Sequence, residues 1–131
     1  VQHGAILGAA GEGKVSSASR KDYAEAIAVV ATGAGHEGRV YELAGDTAHT
    51  GAELAAAVSA AAGKPVAYVN MAQADYARAL EGFGLPAGFA AVLADSDAQS
   101  AQGALYDDSR TLSRLIGRPT TPMAETVAAA L

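Results

Sequence analysis

Gly35-His36-Glu37-Gly38-Arg39-Val40-Tyr41-Glu42-Leu43-Ala44-Gly45-Asp46 (GHEGRVYELAGD) is the stretch on which the fold turns. Its centre, Arg39–Leu43, alternates, with Val40 and Glu42 on one side and Tyr41 and Leu43 on the other; a strand is expected. On the N-terminal side, Gly33–Gly38 closes a helix running from Arg20 to Ala31, which Ser19 opens with the Ser-x-x-acid spacing of a capping box completed by Asp22. Ala24, Ile27 and Ala31 share one face of that helix, with Ala28 beside them. On the C-terminal side, Thr50 and Glu53 form a second capping box, and the helix it opens stops near Gly63, a natural left-handed cap.

Further out, Ala5–Leu7 and Val15–Ser17 read as short extended pieces around the Gly8–Gly13 turn cluster, and Pro65 leads into a third, Val66–Val69. Gln73–Leu80 and Pro86–Ala94 are helical, divided by Gly82-Phe83-Gly84-Leu85, and the polar Asp95–Gln102 reads as a loop. Asp108 is expected to cap a helix ending at Gly117, and Thr121, with Pro122 at the first helical position, starts the last one. Strands alternating with helices argue an α/β fold with some parallel pairing. No internal repeat or linker interrupts the chain, so residues 1–131 read as one unit.

The composition narrows the classes. Half of the 131 residues are hydrophobic and 18% are charged, which argues for a packed core. Aromatic residues make up only 5%, so that core must be built from small side chains and close helix contacts. A net charge of -5 argues against a nucleic-acid surface, which needs clustered Lys and Arg. With no cysteine there is no disulfide, thiolate metal site or cysteine nucleophile. Apolar runs fall short of a membrane span and no signal peptide is visible, so a cytoplasmic location is expected. The first residue is Val1 rather than Met, which agrees with a fragment or a processed product.

Several motifs look chemical and lack the residues their chemistry needs. Gly8-Ala9-Ala10-Gly11-Glu12-Gly13-Lys14 matches Gly-x4-Gly-Lys of a phosphate-binding loop, but Val15 stands where a magnesium-binding hydroxyl belongs. The residues after it read as extended, so no helix N-terminus would present amides to a phosphate. A flexible turn between two strands is the better reading. None of the five tyrosines is followed at the fourth position by lysine, the pairing that activates a phenol as a proton donor; Tyr106 is followed by Arg110 across an expected helix start. His3, His36 and His49 lie on separate segments without ligand-type partners, and each reads as a surface or loop histidine rather than a metal ligand. Asp95/Asp97 and Asp107 read as solvated loop acids.

Two features stand above these. Arg20 and Lys21 occupy the first turn of a helix, where a cation opposes the dipole by about 0.3–1 kcal/mol, a placement that suits an anion docking beside them. The other reading of Arg20 is a solvated side chain paired with Asp22 or Glu25. Phe83, Leu85 and Phe89 form the one apolar-aromatic cluster, beside Gly82, Gly84 and Pro86; they suit the wall or lid of a flat hydrophobic acceptor, or plain helix packing.

GHEGRVYELAGD together with Leu105–Glu125 (LYDDSRTLSRLIGRPTTPMAE) and Ile6–Ile27 (ILGAAGEGKVSSASRKDYAEAI) resembles the C-terminal half of NmrA-like NAD(P)H:quinone oxidoreductases, atypical short-chain dehydrogenases, from end to end of the chain. That resemblance implies the C-terminal part of a Rossmann-like fold with a small substrate-binding lobe. The strand, glycine-rich loop and helix that hold the dinucleotide in such proteins have no counterpart in these residues. It further implies NADPH as cofactor of the intact protein, with Arg20, in the segment Ser19-Arg20-Lys21-Asp22-Tyr23, reaching toward it. Arg39–Leu43 would be a late strand of the nucleotide-binding sheet, and Val15–Ser17 with Val66–Val69 a small parallel sheet in the substrate lobe. The expected function is hydride transfer to a quinone-like small molecule held between the halves, a transfer that needs positioning and dryness more than a side-chain acid. No residue here is expected to be catalytic. The expected partners are the missing N-terminal half or another copy of the chain, with neither nucleic acid nor membrane. The alternative is an NmrA-like regulator that senses the dinucleotide without turnover, since one fold hosts both roles.

Overall fold

In the computed structural model, which describes residues 4–131, side chains cap the first two helices, through Ser19 and Thr50. Strand β1 (Ala5–Gly8) is followed by helices α1 (Arg20–Thr32) and α2 (Gly51–Ala62), then strand β2 (Ala67–Asn70) and helices α3 (Gln73–Gly82), α4 (Ala87–Ser100), α5 (Thr111–Ile116) and α6 (Met123–Ala130). At the start of α2 the Glu53 amide donates to Thr50 Oγ1 (3.2 Å) while Glu53 Oε2 accepts from the Thr50 amide (2.8 Å), a complete capping box. Gly63 ends α2 and Gly117 ends α5, both with left-handed backbone (φ 64° and 69°), the conformation in which glycine pays no Cβ penalty.

β1 and β2 pair in parallel, Ala5 opposite Ala67 and Gly8 opposite Asn70, with α2 packed against both. This corrects the expected sheet. Val15 cannot join β2, because its N–H and C=O are both committed to His49 in an antiparallel bridge (2.9 and 3.1 Å), and the Ser16 amide donates to the Leu105 carbonyl. Arg39–Leu43 is not a strand either. A strand exists through its ladder, and this segment forms none with the described residues, which leaves Val40 88% exposed.

Around this sheet, α3 packs on α4, α6 on α2 and α5 on α1. The fully buried apolar residues are Ala26, Ala90, Ala94 and Leu112, with Ala55 nearly so, a core of small side chains as the composition requires. No helix among the described residues is long and apolar enough to cross a membrane.

Three further expectations give way to tertiary contacts. Asp95–Ser100 is the last part of α4 rather than a loop, because its polar groups are partnered: Ser100 is buried with its hydroxyl donating to the Ser96 carbonyl (2.8 Å), and Asp97 accepts from a backbone amide of the glycine-rich turn. Asp108 does not cap α5. The Asp107 carboxylate accepts from the Ser109 amide (2.6 Å), Ser109 Oγ accepts from the Thr111 amide (3.3 Å), and Arg110 enters the helix through left-handed backbone (φ 57°). Helix α6 starts one residue later than expected, at Met123, with Pro122 just outside it; the Thr121 hydroxyl is turned away to Asp22.

Asp22 also decides how α1 sits. Ser19 caps the helix through the Asp22 amide (3.1 Å), but the Asp22 side chain does not return the bond; it is fully buried and binds Arg118 Nη2 (2.7 Å), the Thr121 amide (2.8 Å) and the Thr121 hydroxyl (3.0 Å). Burial works against its charge, and these donors outweigh burial, holding the carboxyl below the ordinary aspartate value. With Asp22 and Ala26 turned inward, the anticipated face rotates out: Ala24, Ala28 and Ala31 are exposed and Ile27 is 65% exposed.

Candidate functional site

The turn after β1 is held by side chains from far along the chain. The Ala9 amide donates to Asp97 Oδ2 (2.8 Å), the Ala10 amide to the Tyr68 phenol oxygen (3.1 Å) and the Gly11 amide to Asn70 Oδ1 (2.8 Å). In a phosphate-binding loop those amides would face the ligand; here the protein's own carboxylate, phenol and amide occupy them. Tyr68 reaches this position through a slot between two glycines. A Cβ on Gly51 would lie 2.6 Å from its ring and one on Gly8 2.7 Å from its hydroxyl, so neither position has room for a side chain.

Next to this turn the Val15–His49 bridge sets Ser17 against His49. The Gly45 amide donates to the Ser16 carbonyl and the Asp107 amide to Ser16 Oγ (3.0 Å), which anchors the chain just before Ser17. The Ser17 hydroxyl then lies 3.1 Å from His49 Nε2, with Ser17 exposed and His49 only 8% exposed. Two cavities, of about 370 and 320 Å³, are each lined by both residues. The first is walled by Asp46, Thr47 and the segment from Pro119 to Ala124; the second, mostly apolar, by Leu7, Leu54, Tyr68, Tyr76 and Asp97 among others. Burial and the Asp97 charge raise the Tyr68 phenol above the ordinary tyrosine value, against the opposing hydrogen bond from Ala10; burial, Asp97 and Tyr68 do the same to Tyr76. Both residues line the second cavity.

The residues singled out from the sequence are dispersed. Arg20 is exposed in the first turn of α1, and the carboxylates that would have neutralised it are engaged elsewhere, since Asp22 and Glu25 both pair with Arg118 (2.7 and 2.5 Å). Phe83 ends α3 and Phe89 lies in the first turn of α4, 65% and 56% exposed, with Leu85 half-buried between them; none of the three lines the cavities at His49. His36 is tied to the Tyr41 hydroxyl (2.7 Å), and His3 lies outside the described residues. No cluster of three metal-ligating side chains occurs among the described residues. Reading His49 as a surface or loop histidine missed its burial. Its only signal was position: it directly precedes the Thr50 cap, where the chain enters α2 against the sheet.

No family model matches the chain. It is 56% identical over 127 residues to quinone oxidoreductase 2 of Escherichia coli (strain K12), covering 97% of this chain and 44% of that protein. The crystal structure of an NADPH-dependent quinone oxidoreductase from Escherichia coli complexed with NADPH superposes with a TM-score of 0.94 at 55% identity, over 98% of this chain and 46% of that one. Triphenylmethane reductase from Citrobacter sp., complexed with NADP(H), gives 0.92 at 35% identity, over 99% and 45%. The chain thus spans somewhat less than half the length of the proteins it matches. Its fold is that of the C-terminal half of the NAD(P)-binding reductases. Within that class the match is to the NmrA-like NAD(P)H:quinone oxidoreductases.

Proposed function

We propose that this chain, residues 1–131, is the acceptor-side half of an NADPH-dependent oxidoreductase that reduces a quinone-like small molecule. The observation that carries the reading is the 56% identity, maintained over 97% of the chain, to a quinone oxidoreductase. In this reading NADPH supplies a hydride, and the chain's own residues hold the acceptor and keep water from it. Arg20 fits one contact to NADPH, because it is exposed in the first turn of α1 and the acids nearest in sequence are committed to Arg118. Its planar guanidinium suits a phosphate oxygen pair. The glycine-rich turn does not fit, since Asp97, Tyr68 and Asn70 fill its amides; the phosphate cradle is assigned to another part of the protein, either an N-terminal half or a second copy. Phe83, Leu85 and Phe89 are assigned to an outer wall that closes over the acceptor. Steady NADPH oxidation by the full-length protein in the presence of 1,4-benzoquinone tests the reading. Absence of turnover with any quinone, while NADPH still binds, rejects it.

A further inference from the structure

We infer that Ser17 and His49 form the acceptor-oxygen site of this half, with Ser17 Oγ donating a proton to the acceptor and His49 Nε2 resupplying it. This rests on the proposed reduction of a quinone-like acceptor and deepens it, because hydride transfer alone leaves that reaction one proton short. The placement is specific. Ser17 is exposed and lines both cavities, and its hydroxyl is partnered by the ring of a buried histidine 3.1 Å away. Hydrogen bonds at the neighbouring Ser16, from the Gly45 amide to its carbonyl and from the Asp107 amide to its hydroxyl, anchor the chain that carries Ser17. The second cavity offers a planar acceptor mostly apolar walls, with Tyr68 and Tyr76 among its lining, the usual make-up of a small-molecule site.

The acceptor gains the hydride with its electron pair, and its second carbonyl oxygen becomes an oxyanion. That oxygen takes the Ser17 proton as the O–H bond breaks, and Ser17 Oγ recovers a proton that the His49 ring passes on from solvent through Nε2. NADPH is oxidised and the quinone is reduced to its hydroquinone. The ionisable groups around His49 are Lys14 before the bridge, Asp46 on the chain leading to it, Glu53 on α2, Tyr68 on β2, Tyr76 on α3 and Asp97 on α4.

The test uses the full-length protein with 1,4-benzoquinone; the absence of cysteine in this chain removes thiol arylation here as a complication. Ser17→Ala and His49→Gln are expected to lower kcat/KM for the quinone by about a hundredfold, the low end of general-acid effects. KM for NADPH is expected to hold, and Ser17→Thr to restore most of the loss. Because His49 is buried, Ser17→Ala alone decides the matter if His49→Gln unfolds. Wild-type turnover that Ser17→Ala leaves unchanged overturns the inference while the oxidoreductase stands. If the wild type does not turn over, the proposed function fails first, and calorimetric titration with 1,4-benzoquinone alone decides the site: binding weakened about tenfold or more in Ser17→Ala retains it, and equal binding removes it.

Discussion

Gly11 and Gly13 stand two residues apart in one turn for different reasons, and substitution separates them. Gly13 has ordinary backbone, but a Cβ there would collide with the Ser100 carbonyl oxygen and the Ala101 backbone, neither of which can swing aside. Gly13→Ala is expected to cost about 3 kcal/mol, the upper part of the overpacking range. Gly11 has open space around it and a left-handed φ of 54°, so Gly11→Ala is expected to cost only about 1 kcal/mol, and Gly11→Asn less. Urea unfolding midpoints compare them, and equal losses would show that Gly13 is not wedged against α4. Asp22 is tested by acid. Its carboxyl is held below the ordinary 3.8, so it stabilises the fold above that value, and the contribution drains away as pH falls from about 4 through the lowered folded value. Asp22→Ala is expected to cost about 3 kcal/mol at neutral pH, because Arg118 and Thr121 lose a buried acceptor, and to flatten the acid limb of a melting-temperature profile. An acid limb as steep in the variant as in the wild type would assign that dependence to other carboxylates.

At the scale of elements, the segment from Arg39 to Leu43 is the unfinished part. Val40 and Ile27 are largely exposed, and Leu43, Tyr41, Val30 and Leu115 line a shallow apolar groove of about 320 Å³ beside α1. Extended backbone with open hydrogen-bonding groups beside apolar side chains invites pairing with another chain. This chain by itself is therefore expected to self-associate through that edge, and Val40→Glu to shift it toward monomer. Sedimentation velocity at increasing concentration measures both. A monomer at every concentration, with or without the substitution, would show that the edge is innocuous. Helix α4 is the opposite case: its polar end stays helical because Asp97 and Ser100 find partners inside the fold.

For the whole molecule the open quantity is the cofactor contact. One arginine contributes a charge-assisted contact of about 1.5–3 kcal/mol, whereas even millimolar affinity takes about 4 kcal/mol. This chain alone is therefore expected to bind NADPH no better than about millimolar. In the full-length protein Arg20→Ala is expected to weaken NADPH binding about ten- to a hundredfold with little change in melting temperature, as Arg20 is exposed. Calorimetric titration measures both, and an unchanged dissociation constant in the variant would return Arg20 to the solvated surface.

The helices were largely legible in the sequence because their signals are local. Ser19, the Thr50–Glu53 box, Gly63 and Gly117 each act within a few residues of where they stand, and the absence of a metal-binding hydroxyl after Lys14 already spoke against a phosphate loop. The quoted stretches also carried the likeness to the oxidoreductases, which the 0.94 superposition bears out. Tertiary structure alone decided which strands pair, which face of α1 turns inward, and whether Arg39–Leu43 finds a ladder. It alone brought Ser17 to His49 across 32 residues, Tyr68 to Ala10 across 58 and Asp97 to Ala9 across 88. A cap is written in neighbouring residues, but a pairing between distant ones is fixed only when the whole chain has closed around them and left each buried donor one acceptor within reach.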